Sequence, residues 1–278
     1  MFASTDLAAR IERAEAGLSA ALGRSILAQS SDDDVFVEEI GGGVAVYTGR
    51  NSPMNKLIGV GFAAMPNEND LSRVEELFRS RRSRLQAEVA TLANPAFSAT
   101  LTRRGYVLEN FENVLGRPLT GADAEPPLDA AIEIRGVNTH DDSEAWLDAS
   151  ITGFQHADEQ GVQAATLPPR DDLERTLRPY VKVEGFRRYS AYVAGHLAGV
   201  ASLRIVDALA QLCGAATLPA FRRRGVQTML LRRRLADAVH AGCELAVMTT
   251  QPGSKSQENG HRQGFSLLYS RAILIANP

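Results

Sequence analysis

Three consecutive arginines, Arg222–Arg224, stand directly before Gly225 and are the residues of this sequence best suited to bind an anion. An apolar run that ends at Thr217 precedes them, and a segment with helical spacing of apolar residues follows them. The first backbone N–H groups of a helix have no partner within it, and the helix dipole is positive at that end. Guanidinium groups beside such an end, with a glycine that permits close approach, suit a pyrophosphate. The sequence therefore predicts a phosphate site at a strand-to-helix junction.

The segments around this junction follow an α+β order. A short alternating strand at Ile132–Arg135 and a helix near Ser143–Ile151 come first. Three apolar or alternating runs then predict an antiparallel meander, over Tyr189–Val193, Leu197–Ile205 and Ala210–Thr217. A helix, a strand, a second helix and a terminal strand or strand pair are predicted after it, over 225–241, 245–250, 254–263 and 266–276. The charge run Arg232–Arg234 in the long helix is interpreted as a solvated face or a set of ion-pair partners rather than a second anion site.

The clearest change in composition lies at Thr120–Ala131, which contains Pro126 and Pro127. Proline breaks a helix and cannot donate a hydrogen bond in a central strand, so this segment is predicted to be a linker. A chain of 278 residues is also longer than one hydrophobic core usually organises. We therefore expect two domains, 1–125 and 126–278.

The first half repeats the order of elements of the second. Its predicted helix, strand, helix and strand cover Leu71–Arg81, Leu85–Thr91, Pro95–Arg104 and Val107–Leu115, with Asp70 as the first N-cap. The second helix of each half ends alike, in Arg103–Tyr106 and in Arg262–Phe265, with a glycine followed by an aromatic residue. Two copies of one α+β fold are the favoured interpretation, and a chance match of short patterns is the alternative. Gly41–Gly43 is interpreted as a turn, because an alternating strand follows it.

The segment Thr217–Thr228 resembles motif A of the GNAT superfamily of N-acetyltransferases, whose pattern is Gln/Arg-x-x-Gly-x-Gly/Ala after a strand. Arg222 and Gly225 match this pattern, whereas Gln227 replaces its final small residue. The resemblance covers roughly 132–276 and implies a mixed, mostly antiparallel sheet flanked by helices in each half. It also implies acetyl-CoA as co-substrate. The cofactor-binding residues that it implies are Ala215, Thr217, Arg222, Arg223, Arg224, Gly225, Val226, Gln227, Thr228 and Asn259.

The resemblance leaves the catalytic acid and base unassigned. In the family, a strand N–H at the position of Ala215 polarises the thioester carbonyl. Many members place a glutamate base at the position of Gln211 and a tyrosine acid at the position of Gly260. A glutamine cannot accept a proton at neutral pH, and a glycine has no side chain to donate one. Proton transfer must therefore use other groups, water, or an amine that arrives neutral.

The implied function is transfer of an acetyl group from acetyl-CoA to a primary amine, by direct attack in a ternary complex. The acceptor is a small molecule or a peptide, and His156, Asp158 and Glu159 fall in the segment that shapes its pocket in this family. A non-catalytic acyl-CoA-binding or regulatory module is the alternative, because the usual base and acid are missing. The segment after Phe62 reads AAMPNENDL, without arginine or glycine, so the first half is predicted to be a degenerate copy that lacks the cofactor loop.

Composition sets the remaining expectations. The net charge of −3 gives no general attraction to nucleic acid. The two cysteines, Cys213 and Cys243, have no metal-ligand spacing and are expected to be reduced, so no metal site is expected. The N-terminal segment does not resemble a signal peptide, and no run is long enough to span a membrane. A cytoplasmic protein without nucleic-acid or membrane partners is expected, and the sequence does not determine its oligomeric state.

Overall fold

The computed structural model describes residues 1–28, 34–125, 129–156, 169–183 and 185–276. The chain forms two compact units, which are Met1–Val114 with Leu267–Pro278 (unit 1) and Leu115–Ser266 (unit 2). These units differ from the contiguous halves 1–125 and 126–278. The reason is that the last strand of the chain pairs with a strand of unit 1.

The elements described follow one another in this order: α1 (Thr5–Leu27), β1 (Phe36–Ile40), β2 (Gly43–Tyr47), β3 (Lys56–Ile58), α2 (Glu68–Ser80), β4 (Leu85–Ala90), α3 (Pro95–Arg103), β5 (Val107–Pro118), β6 (Ile132–Gly136), α4 (His140–Gln155), α5 (Arg170–Leu177), β7 (Phe186–Val193), β8 (His196–Val206), β9 (Leu209–Gln211), β10 (Ala215–Thr217), α6 (Val226–His240), β11 (Leu245–Thr250), α7 (Lys255–Arg262) and β12 (Ser266–Ala276). No helix of the described ranges is long and apolar enough to cross a membrane.

Unit 1 contains the strand order β1-β2-β3-β4-β12. The β1–β2 hairpin closes through Gly41 and Gly42 at positive φ, so the predicted turn is confirmed. Strands β3 and β4 are parallel, and α2 connects them. This helix begins earlier than predicted, because its N-cap is Asn67 and not Asp70. The Asn67 side chain accepts a hydrogen bond from the Asp70 N–H at 2.9 Å.

A buried group of charges fixes β12 within unit 1. Arg271 is 1% exposed and its Nε donates to Glu12 of α1 at 2.7 Å, while Glu88 of β4 accepts from Lys56 at 2.5 Å. Burial raises the pKa of Glu88, but the nearby charges of Lys56 and Arg271 outweigh it and hold that pKa below its ordinary value. Buried charges are costly unless they are paired, so β12 is specified by charge as well as by apolar packing.

Unit 2 contains the strand order β11-β9-β8-β7-β6, with β10 on β8. The β9–β11 pair is parallel, whereas the pairs β8–β10, β6–β7, β7–β8 and β8–β9 are antiparallel, as in the predicted mixed sheet. Helix α4 packs on one face through Trp146 and Leu147, against Val200 and Ala216. A second core contains residues of α6 and of the strands together with Phe265, which precedes β12, and its other members include Leu230, Leu235 and Ala246.

The chain contains the same succession of elements twice. In unit 1 it is β1-β2-β3-α2-β4-α3-β5, and after α4 and α5 the chain repeats it as β7-β8-β9-α6-β11-α7-β12, with β10 added after β9. In each copy the first helix connects two parallel strands, β3 to β4 and β9 to β11. The predicted repeat of the fold is therefore confirmed at the level of element order and strand direction.

Candidate functional site

The sheet of unit 2 opens where β9 passes into β10. Up to this point β9 runs parallel to β11, with Gln211 opposite Val247, and the Leu212 N–H donates to Val247 O at 2.8 Å. Beyond it, β10 pairs with β8 alone among the described strands, while β11 continues to Thr250. One edge of β10 consequently has no partner among the described strands, and we call the gap between this edge and β11 the opening.

The backbone of Ala215 and Thr217 points into this opening. The Ser202 N–H donates to Gly214 O at 3.1 Å, and the Leu218 N–H donates to Ala198 O at 2.9 Å. Residues of an antiparallel strand alternate in the side to which their N–H and C=O groups point. Because residues 214 and 218 bond toward β8, the N–H groups of Ala215 and Thr217 point the other way, where an extended ligand could pair with them.

A tight loop leads from β10 to α6. After one 3₁₀ turn at Pro219–Phe221, the backbone has φ = 60° at Arg223 and φ = 81° at Gly225. Gly225 is the N-cap of α6, and within the described ranges no side chain caps the helix. The first intrahelical bond is donated by the Met229 N–H to Gly225 O at 3.0 Å. The N–H groups of the three residues between them therefore remain as the donors of the first helical turn.

The residues of this turn contribute mainly through their backbone. Val226 is 1% exposed and its side chain belongs to the core of unit 2. Gln227 and Thr228 are half-buried, and Gly225 is exposed. A Cβ added to Gly225 would lie 3.7 Å from Ile132 Cδ1, which is ordinary contact distance. Space therefore exists for a side chain at this position, but its positive φ favours glycine.

The three arginines differ in their surroundings. Arg222 donates to the backbone oxygen of His156, at the end of α4, and its Nε lies 3.4 Å from Thr217 O. Arg223 and Arg224 are exposed, and the Arg224 guanidinium lies 5.6 Å from the centre of the Phe221 ring. Arg222 thus joins the end of β10 to the end of α4, whereas the other two present their charge to solvent beside the helix start.

The positions of the family's usual base and acid are both buried. Gln211 is 1% exposed, and its Oε1 accepts a hydrogen bond from Arg204 at 2.8 Å. Gly260 is also buried, and a Cβ there would lie 3.1 Å from Leu115 Cδ1 and from Met248 Sδ. A larger side chain at residue 260 would therefore have to displace its neighbours. The sequence showed which residue types are missing, but not that position 260 packs so closely.

The remaining candidates lie on α7, at the end of α4 or outside the described ranges. Asn259 is half-buried on α7. His156 is exposed at the C-cap of α4, with its Nδ1 2.9 Å from Thr152 O. Asp158 and Glu159 lie outside the described residues.

Sequence reasoning missed one buried polar residue of α6. Arg234, interpreted above as part of a solvated face, is 2% exposed. It lies four residues after Leu230 and four before Ala238, both of which are fully buried. This apolar stripe of the helix was the signal that could have placed it.

Comparison with known proteins agrees with this geometry. Residues 154–265 match the profile of the acetyltransferase (GNAT) family. The second part of the chain is a GNAT domain. This domain belongs to an acyltransferase family, and acetyl-CoA is the acetyl donor of that family. A search of curated proteins finds no significant match.

Solved structures with GNAT domains resemble the whole chain in fold. A GCN5-related N-acetyltransferase from Kribbella flavida is 15% identical, with a TM-score of 0.64 over 95% of each chain. A tandem GNAT protein from the clavulanic acid biosynthesis pathway is 13% identical, with a TM-score of 0.60 over 92% of this chain and 87% of that chain. At such identities the similarity establishes the fold alone, and it extends across both units.

Proposed function

We propose that unit 2 transfers an acetyl group from acetyl-CoA to an amine. The observation that carries this proposal is the opening beside β10 together with the helix start that follows it. The chain passes from β10 within a few residues to α6, which begins at Gly225. The strand edge offers donors to an extended arm and a carbonyl, and the helix start offers donors to a pyrophosphate. The residues present therefore fit both the pantetheine arm with its thioester carbonyl and the pyrophosphate of acetyl-CoA.

The roles of the residues follow from their positions. The first-turn N–H groups of α6 would hold the pyrophosphate, and the exposed Arg223 and Arg224 would add positive charge. The N–H groups of Ala215 and Thr217 would orient the pantetheine arm along β10. Acetyl-CoA supplies an activated thioester when bound. The Ala215 N–H would then donate to the carbonyl oxygen, where negative charge develops as an amine attacks.

Neither family position supplies the proton acceptor. Gln211 is an amide held by Arg204, and residue 260 has no side chain. We expect the amine to lose its proton to water before it reaches the site. A thiol is acidic enough to leave as thiolate without a strong acid, because its pKa is about 8.5. The acceptor is a small molecule or a peptide with a primary amine.

We further propose that unit 1 has no site for acetyl-CoA. The N-terminus of α2 is capped by the Asn67 side chain, and its first turn contains the carboxylates of Glu68 and Asp70. Negative charge at this end opposes a phosphate. The chain after β3 also stays bonded to the chain after β4, because the Asn94 N–H donates to Gly61 O at 2.8 Å. Unit 1 therefore has a capped, acidic helix start where unit 2 has a glycine-started one, and it has a bonded pair of chain segments where unit 2 has the opening.

Calorimetry and a turnover assay test these proposals. Titration with acetyl-CoA should give one site per chain, and two equivalent sites would contradict the proposal for unit 1. Incubation with a panel of amines and peptides should release CoA and form the acetylated product. Tight binding without turnover for any amine would favour the non-catalytic acyl-CoA-binding module instead. Absence of binding would refute the assignment of the site.

A further inference from the structure

Arg234 is a buried arginine placed beneath the break between β9 and β10. Its Nη1 lies 3.1 Å from Ser202 O and 3.4 Å from Cys213 O, and its Nε lies 3.2 Å from Leu230 O. No carboxylate of the described residues pairs with it. A guanidinium is costly to bury, and here backbone carbonyls alone compensate the cost.

The arginine replaces a bond that the break removes from the sheet. In a regular antiparallel pair, residues 202 and 214 would exchange two hydrogen bonds. The Ser202 N–H donates to Gly214 O at 3.1 Å, but the reverse bond is absent from the described backbone hydrogen bonds. Arg234 donates to Ser202 O in its place. The break is therefore filled by a side chain from α6, the helix whose N-terminus begins at the loop.

The same contacts fix the peptide ahead of Ala215. Cys213 O accepts hydrogen bonds from both Arg234 Nη1 and the Ser202 hydroxyl, the latter at 3.0 Å. The next carbonyl, Gly214 O, belongs to the peptide unit whose N–H is that of Ala215. Because both carbonyls are held toward β8 and α6, the Ala215 N–H is held toward the opening.

We propose that Arg234 is a positioning residue for acetyl transfer, which acts by holding the β9–β10 break in the shape that directs the Ala215 N–H at the thioester carbonyl. This inference rests on the proposed function of unit 2. Burial lowers the pKa of Arg234 to about 10, so the guanidinium remains charged at neutral pH. The charge also lies behind the peptide that faces the developing oxyanion, where a positive potential favours it.

A matched pair of substitutions on α6 tests the proposal. Arg234→Met keeps an unbranched apolar side chain as far as the position of Nε but removes the donors, and Arg232→Met makes the same change at an exposed position of the same helix. We expect Arg234→Met to lower kcat about tenfold or more, because misplacing an oxyanion donor approaches the effect of losing it. The dissociation constant of CoA, which lacks the acetyl carbonyl, should change by less than about threefold.

A spectroscopic measurement separates positioning from general damage. The infrared stretch of the ¹³C-labelled thioester carbonyl should shift to lower frequency when acetyl-CoA binds the parent protein, and this shift should shrink in Arg234→Met but not in Arg232→Met. Equal kcat values and equal carbonyl shifts in the two variants would overturn the proposal. If Arg234→Met does not fold, Ser202→Ala replaces it in the test, because this change removes the other donor to Cys213 O. Ser202→Ala should then lower both kcat and the carbonyl shift. Parent-like values of both would overturn the proposal.

The proposed function of unit 2 and the positioning role of Arg234 would be refuted by different results. If the parent protein neither binds nor turns over acetyl-CoA, the proposed function is wrong and the role of Arg234 falls with it. If the parent is active and the Arg234 variant matches the Arg232 variant, only the positioning role is wrong.

Discussion

Replacing Gly225 by valine should weaken acetyl-CoA binding by one to two decades while leaving the protein folded. Gly225 has φ = 81° at the start of α6, and Gly242 has φ = 77° just after the end of the same helix. Gly242→Val is therefore a matched control for backbone strain. Among the atoms of the described residues, none lies within 4 Å of a Cβ at Gly242, and the nearest to one at Gly225 is 3.7 Å away, so steric clash in the free protein is slight at both.

The two contributions can be estimated separately. A non-glycine residue in the left-handed region costs about 1–2 kcal/mol, so both variants should lose this much stability. The valine methyl groups at Gly225 would also occupy space over the first-turn N–H groups of α6. Loss of one hydrogen bond to a charged phosphate costs about 1.5–3 kcal/mol, which is one to two decades in the dissociation constant.

Calorimetric titration with CoA at two salt concentrations, preceded by thermal unfolding, measures both effects. The defect of Gly225→Val should persist at high salt, because screening acts on charge and not on steric exclusion. Gly242→Val should bind CoA like the parent. A folded Gly225→Val protein with the affinity of Gly242→Val would refute the placement of the pyrophosphate at α6.

Three further predictions concern charge and protons. The double substitution of Arg223 and Arg224 by alanine should weaken CoA binding about tenfold at low salt and less at high salt, measured by the same titration, because both side chains are exposed. With Gln211 in place of a base, kcat/KM should keep rising with pH toward the amine pKa of about 10, and a plateau below about pH 7 would reveal a base elsewhere. Burial, then the charge of Glu88, raises the pKa of Glu112 to about 7. The folded state therefore loses stability as pH rises through 7. Glu112→Gln should be nearly neutral at pH 5 and should stabilise the protein by about 1–2 kcal/mol at pH 9 in urea unfolding, a value reduced for the partial exposure of the side chain. Equal effects of this substitution at both pH values would contradict the shifted pKa.

Local sequence patterns predicted most helices and strands and the junction between β10 and α6. Gly225 after a strand and before an apolar helical stripe identified the helix start, because its cause lies within about ten neighbouring residues. The fate of β12 depends instead on partners far along the chain. Its apolar residues do not identify the neighbouring strand, and its charged contacts include the pairs of Arg271 with Glu12 and Glu88, which are distant in sequence. Such pairs have no signature in a single sequence.

The same limit applies to side-chain surroundings. The run Arg232–Arg234 has one composition but spans exposed and buried positions, so the helical phase of each residue decides its environment. The close packing of residue 260 against Leu115 and Met248 depends on strands that are distant in sequence. Residue types could be read in advance, whereas the neighbours that give them a role could not.

The place of β12 in unit 1 has a consequence for the order in which the protein can fold during synthesis. The first unit lacks a strand until residue 276 has been translated, so it cannot finish folding ahead of the second, as sequential domains usually do. Until then Glu12 and Glu88 lack their arginine, which disfavours burying them early. If the chain were divided at residue 125, residues 1–125 would contain β4 but lack β12. Residues 126–278 would contain β12 without β4, the strand with which it pairs. Unit 1 thus depends on residues 267–276 for its last strand, and residues 1–125 expressed alone are not expected to be stable.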